Sequence, residues 1–386
     1  MTLALRREGK ELSLENMKEL GERYSEAFFE DLKRLNVEMP FAFPRASEHV
    51  KEQIAYVQTL LDKGYAYETK SGVYFDVEKF PRYGVLGGSA SESHSRIGVH
   101  PEKRDPRDFS LWKKDDHFGW DSPWGKGFPG WHIECTAMST KYLGKSFDIH
   151  TGGVDHIAVH HNNEIAQAEA VTGKQFVRYW LHGEFITVEG KRIGKSEGNA
   201  IRLYQLQEHG ISPLSYRYLL LGSHYRQVTN FTWEALEAAH TTLYRALRIF
   251  ADLPSKRGTL IESYVSRFKK AVNDDLNTPE ALAVLWELLK DSSVSPEDKR
   301  ATVLDFDQIL GVGFGDSTHR GEIEKLSTVK DKDLPEDILL LLREREEFRK
   351  KKDYESADRL RNEILEKGFS VEDGKDGPQI RRVTTP

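Results

Sequence analysis

Between Phe109 and about Ser223, short apolar strands alternate with helical stretches, and after about Val228 the strand signals stop. Ser110-Leu111-Trp112 opens the alternation, and Phe147-Asp148-Ile149-His150 leads into Thr151-Gly152-Gly153. Tyr179-Trp180-Leu181-His182 and Phe185-Ile186-Thr187-Val188 follow. This order predicts a parallel α/β domain, in which ligands sit beyond the carboxyl ends of the strands, here at Thr151–Asp155. Downstream, residues 232–252, 261–272, 278–290 and 296–311 read as helices, 312–333 as a linker, and 335–367 as densely charged helix. Residues 368–386 read as a terminal turn-and-strand piece. Upstream, Leu20, Tyr24, Phe28 and Leu32 recur every fourth position and predict a helix over 11–35, broken by Met39-Pro40 and Phe43-Pro44. A second helix over 47–63 ends at Gly64, a strand follows at Val73–Val77, and 80–108 reads as an irregular excursion.

A chain of 386 residues is long enough for two or three domains. Its single cysteine excludes an internal disulfide framework and fits a reducing, cytoplasmic compartment. No apolar run approaches the roughly 18 residues of a membrane span, and no membrane partner is expected. The net charge of −6 argues against indiscriminate nucleic-acid binding but leaves room for a local basic surface.

That one cysteine, Cys135, lies in Trp131-His132-Ile133-Glu134-Cys135, and His160-His161-Asn162-Asn163-Glu164 begins 25 positions later. A thiolate, an imidazole and a carboxylate supply three ligands of a tetrahedral zinc site. Cys135 falls in the first turns of a helix opened by Pro129-Gly130, where the helix dipole and a nearby cation both favour thiolate. His160 and Glu164, four residues apart, share a helix face. The competing reading makes Cys135 a core thiol, His160 and His161 surface imidazoles and Glu164 a solvated carboxylate, and spacing alone does not separate the two. A zinc hydrolase is disfavoured, because His161 and Glu164 give His-x-x-Glu rather than His-Glu-x-x-His.

Gly190-Lys191-Arg192-Ile193-Gly194-Lys195-Ser196-Glu197-Gly198-Asn199 follows the strand at 185–188. Its glycines let backbone approach phosphate, and its cations can neutralise charge developing in nucleotidyl transfer. It does not match the P-loop pattern, and a solvated turn would read the same way.

Several stretches occur in an order that resembles the cysteinyl-tRNA synthetases, class I aminoacyl-tRNA synthetases. They include Arg107-Asp108-Phe109-Ser110-Leu111-Trp112-Lys113, Pro129-Gly130-Trp131-His132-Ile133-Glu134-Cys135 and Phe147-Asp148-Ile149-His150-x-Gly152-Gly153-x-Asp155. His160-His161-x-Asn163-Glu164, Lys195-Ser196-x-Gly198-Asn199 and Asp274-Asp275-x-Asn277-Thr278-Pro279 continue the series. The resemblance runs from about residue 9 to the C-terminus. It implies a partial Rossmann-type α/β core with an inserted domain, followed by an all-α tRNA-binding bundle. The corresponding segments are 1–24, a remnant of the first catalytic half, and 25–108, the inserted domain. Residues 109–227 are the second catalytic half, 228–318 the helical tRNA-binding bundle, and 319–386 a small C-terminal domain. It further implies that Cys135, His160 and Glu164 hold one zinc ion whose open position takes the substrate cysteine's sulfur, and that Trp131 walls the amino-acid pocket. Soft-ligand preference separates cysteine from serine where small steric differences cannot. Implied partners are tRNA(Cys), cysteine and ATP, with a monomer as the working expectation. Arg349-Lys350-Lys351-Lys352 and Arg381-Arg382 are candidates for phosphate contacts.

The family's Lys-Met-Ser-Lys-Ser signature reads Arg192-Ile193-Gly194-Lys195-Ser196 here. Lys195 corresponds to the second lysine, implied to stabilise departing pyrophosphate. Arg192 keeps the first charge with different geometry, and Gly194 loosens the loop. Gly153 and Asp155 are expected near the nucleotide. The family's His-Ile-Gly-His motif and an early cysteine ligand are absent from this sequence, and Arg96-Ile97-Gly98-Val99-His100 lacks the leading histidine. Two expectations follow: an N-terminally truncated form of a cysteine–tRNA ligase, or a short tRNA- or zinc-binding paralogue without adenylation. The first is preferred, since the other site residues are intact.

Overall fold

The computed structural model describes residues 2–87, 101–194, 198–329, 334–374 and 377–382. The chain divides into two compact units, Met1–Ala27 with Pro40–Phe185, and Phe28–Met39 with Ile186–Pro386. Helices α1 (Thr2–Arg7) and α2 (Leu14–Arg34) come first, and α2 from Phe28 onward, about two turns, is counted with the second unit.

In the first unit α3 (Val50–Asp62) leads into β1 (Ala66–Glu68), β2 (Gly72–Phe75), β3 (Phe109–Lys114) and β4 (Gly127–Pro129), an antiparallel sheet in that order. All four residues of β2 are buried, and Val57 and Leu60 of α3 pack with Val73, Phe75, Leu111 and Trp112 in one core. Burying such a face is what fixes strand register. The strand expected at Ser110–Trp112 therefore exists but pairs antiparallel with β2 and β4, not in a parallel sheet. Its partners β2 and β4 lie well outside the segment itself, and the apolar pattern of one strand does not reveal them.

The chain then turns sharply into α4 (Trp131–Leu143). A Cβ on Gly130 would stand 1.9 Å from the Ser110 carbonyl oxygen, so only glycine lets the helix start this close to β3. Next comes a βαβ unit, β5 (Phe147–Gly153), α5 (Asn162–Thr172) and β6 (Val177–Gly183), with β5 and β6 parallel and Gly152 opposite His182. Every residue of α5 from Asn162 to Ala170 is buried, and Ile165, Ala166 and Ala170 join the core formed by α3, α4 and the antiparallel sheet.

The second unit opens with β7 (Ile186–Val188) and β8 (Lys191–Arg192), an antiparallel hairpin, with β9 (Thr229–Phe231) parallel to β7. Glu189 and Gly190, both at positive φ, make its two-residue turn. Between them lie α6 (Leu203–Glu208) and α7 (Pro213–Leu221). Helices α8 (Trp233–Ala251), α9 (Glu262–Asn273), α10 (Thr278–Lys290) and α11 (Pro296–Leu310) surround a core in which Phe268 stacks on Phe306 at 4.0 Å. Thr232, Asn277 and Ser295 cap α8, α10 and α11 through their side-chain oxygens. The segment expected to be a linker carries α12 (Ser317–Ser327) and β10 (Thr328–Val329). Ile323 is fully buried in the bundle core, an apolar anchor too isolated in sequence to signal a helix.

The helical stretch expected over 335–367 is a hairpin of α13 (Glu336–Lys350) and α14 (Tyr354–Glu366). Lys352, at φ 61°, breaks it. The terminal piece is the β11 (Phe369–Gly374) and β12 (Gly377–Arg382) hairpin, with β10 on its edge. Arg345, 1% exposed, donates from both terminal nitrogens to Asp373 at 3.0 Å. Arg381 is 2% exposed and lies 4.9 Å over the Tyr244 ring. It is thus a packing residue and not the phosphate contact expected of it. Among the described residues, no helix is long and apolar enough to cross a membrane.

Candidate metal centre

Two elements bring the predicted ligands together. α4 carries Cys135 one turn in, where its thiol is partly buried. A single π-helical turn, Ile157–His161, then feeds α5. Such a turn widens the helix by one residue and recurs at functional sites. Here it buries both His160 and His161 immediately before Glu164. One donor atom each from Cys135, His160 and Glu164 lie within 4.8 Å of one another. A second group, His150, His161 and Glu164, meets the same limit and shares the carboxylate.

Glu164 is fully buried, and neither of its oxygens receives an aligned hydrogen bond. Yet Nε2 of His160 stands 2.8 Å from Oε1, and Nε2 of His150 stands 3.3 Å from Oε2. A buried carboxylate requires compensation by positive charge, and close approach of donor atoms without an aligned proton suits a cation they share. Burial alone would raise the Glu164 carboxyl, but His150 and His160 beside it more than offset this and hold it down to about 2. Cys135 behaves oppositely: burial, then Glu164 and Glu134, push its thiol up to about 12. The helix N-terminus expected to favour thiolate is thus outweighed in the protein alone, and a thiolate at Cys135 calls for a metal cation. Sulfur, nitrogen and oxygen donors of this kind match zinc. The reading of His160, His161 and Glu164 as solvent-facing groups is excluded, since their exposures are 5%, 1% and 0%.

Five histidines besides His160 crowd this place, and of these the spacing had singled out only His161. His132 Nδ1 lies 2.8 Å from His160 Nδ1, and His161 Nδ1 lies 2.8 Å from His182 Nε2. His150 and His156 meet the His161 ring edge-on, with centroids 4.8 and 5.2 Å away. They come from α4, β5, the turn after it, the π-helical turn and β6. The available signal was positional, as His182 lies at the carboxyl end of β6, where α/β sites form. Burial holds His132 and His161 down to about 3, so both rings are neutral. Trp131, 58% exposed, covers His160 with ring centroids 4.3 Å apart. Gly153 ends β5, and a Cβ on it would meet the Asp155 carboxylate at 2.4 Å, so this acid folds back over the strand end.

The other predicted site residues belong to the second unit. Arg192 ends β8 with its side chain exposed. Asn199 staples the loop base, donating to the Arg192 carbonyl at 3.1 Å and accepting from Gly194 N–H at 3.2 Å. Lys195 lies outside the described residues, as do Ser196 and Arg96–His100.

Three family profiles match the chain. "tRNA synthetases class I (C) catalytic domain" covers residues 8–241, "DALR domain" covers 267–302, and "Cysteinyl-tRNA ligase anticodon binding domain" covers 331–381. Cysteine–tRNA ligase 1 of Burkholderia lata is 44% identical over 370 residues, spanning 94% of this chain and 76% of its own. The Thermus thermophilus cysteine–tRNA ligase is 41% identical over 385 residues, spanning 94% and 79%. Among solved structures, Mycobacterium tuberculosis methionyl-tRNA synthetase in complex with methionyl-adenylate aligns with a TM-score of 0.52 at 15% identity. That alignment covers 86% of this chain and 84% of the other, a likeness of fold.

Proposed function

The chain belongs to the cysteine–tRNA ligase family of class I aminoacyl-tRNA synthetases, and we propose that Cys135, His160 and Glu164 hold one zinc ion that selects the substrate by its sulfur. The activity is that of a cysteine–tRNA ligase. A carboxylate oxygen of cysteine attacks the α-phosphorus of ATP and expels pyrophosphate. A ribose hydroxyl at the tRNA end then takes the acyl group and releases AMP.

The observation that carries the zinc assignment is the buried Glu164, unserved by aligned hydrogen bonds, with His160 and Cys135 converging on it. Bound there, zinc supplies a soft Lewis acid that favours a thiolate over a hydroxyl. Trp131 roofs the His160 ring and, in this reading, walls the amino-acid pocket and excludes water. Gly153 and Asp155, at the carboxyl end of β5, are assigned to the nucleotide side. Arg192 and Lys195 are assigned to the pyrophosphate, whose charge grows as the bond to the α-phosphorus breaks. The proposed partners are tRNA(Cys), cysteine and ATP, and the proposed compartment is the cytoplasm.

Replacing Cys135→Ser tests the assignment. The variant is expected to retain less than a tenth of the parent's zinc after dialysis. In cysteine-dependent exchange of labelled pyrophosphate into ATP, KM for cysteine should rise before KM for ATP. Unchanged zinc content would remove Cys135 from the ligand set and the sulfur-selection reading with it.

A further inference from the structure

His132 stands three residues before Cys135 on α4, so the two side chains lie along one helix face. Its Nδ1 faces Nδ1 of His160 at 2.8 Å. Two ring nitrogens at that distance share one proton, and one ring must own it. The opposite nitrogen of His160 decides which. Nε2 of His160 faces Glu164 Oε1 at 2.8 Å, on the side where Cys135 also converges. An imidazole that gives its Nε2 lone pair to a metal keeps its proton on Nδ1. The His160 Nδ1–H then donates, and His132 Nδ1 accepts.

We propose that His132 is a positioning residue for the metal centre, fixing both the tautomer and the ring plane in which His160 presents Nε2. The inference rests on the zinc assignment above and adds the group behind the ligand. His132 can serve because its own ring is held. The buried Phe109 of β3 meets it edge-on at 5.7 Å and 84°, and Trp131 flanks it at 5.5 Å. A carboxylate or a backbone carbonyl commonly plays this part behind a metal-bound histidine. Here the ring nitrogen of His132 stands in that place.

Zinc affinity of the purified full chain, measured by chelator competition, tests this with three variants. His132→Leu removes the acceptor, and His132→Asn places an amide oxygen close to where Nδ1 stood. Cys135→Ser reports on the metal site itself. His132→Leu should weaken zinc binding by about 10- to 100-fold, while His132→Asn should stay within about threefold of the parent. The cobalt(II) form of His132→Leu at saturating metal should keep its sulfur-to-metal absorption band, showing the ligand set intact. Unchanged affinity in His132→Leu overturns the proposal. So does equal loss in His132→Leu and His132→Asn, which would mark a packing role only. If Cys135→Ser leaves zinc binding untouched, the metal assignment falls first, and the role of His132 falls with it.

Discussion

Glu164 is a fully buried acid whose carboxylate faces the imidazoles of His150 and His160. Its neighbours show how tightly the space around it is filled. A Cβ on Gly152 would meet His161 Cε1 at 2.6 Å and His156 Nδ1 at 2.7 Å. Both rings would have to move, and the His161 ring is 1% exposed and tied to His182. Gly152→Ala should therefore cost about 1–3 kcal/mol in urea unfolding. A midpoint matching the parent's would mean that the rings yield freely. At this scale the sequence foreshadowed the grouping of Cys135, His160 and Glu164, since helical spacing pairs His160 with Glu164 and a lone cysteine draws attention. It disclosed the surrounding histidines poorly, because His132, His150 and His182 reach the site from separate elements that only folding brings together.

Elements were legible where local chemistry sets them and obscure where tertiary contacts do. Thr232, Asn277 and Ser295 announce their helices by capping them. The break at Lys352 carries no glycine or proline, so the chain there reads as continuous helix. The pairing of β3 depends on a sheet whose partners are remote in sequence. Between α7 and α8, His240 lies 2.7 Å from the buried Ser215 hydroxyl, and burial lowers it to about 4. The folded state thus binds its proton less readily than the unfolded chain does. Its contribution is present in full above pH 6.5 and is lost as pH falls from about 6.5 towards 4, on the order of 3 kcal/mol. Thermal unfolding followed from pH 7 to pH 4.5 should show a steeper acid loss for the parent than for His240→Gln. Parallel curves would assign the acid sensitivity elsewhere.

Across the whole molecule, a net charge of −6 has to coexist with a polyanionic partner. The basic run at the end of α13 divides its labour. Arg349 is committed to Asp373 at 2.6 Å, whereas Lys350, Lys351 and Lys352 are exposed. If those lysines meet tRNA phosphates, changing all three to Gln should weaken binding and flatten the dependence of log Kd on log salt by about 2 to 3. Weaker binding with an unchanged slope would point to a packing effect. The class of fold and the division into an α/β part and a helical part were readable from periodicity. The antiparallel sheet against α3 and the helix inside the expected linker were not.

Whether a metal held by Cys135, His160 and Glu164 distinguishes cysteine by its sulfur is decided by one titration. The sulfur-to-metal charge-transfer absorption that Cys135 gives the cobalt(II)-loaded protein should grow saturably on addition of cysteine and stay unchanged with serine. An absorption spectrum indifferent to cysteine, or responding equally to serine, would contradict selection by sulfur.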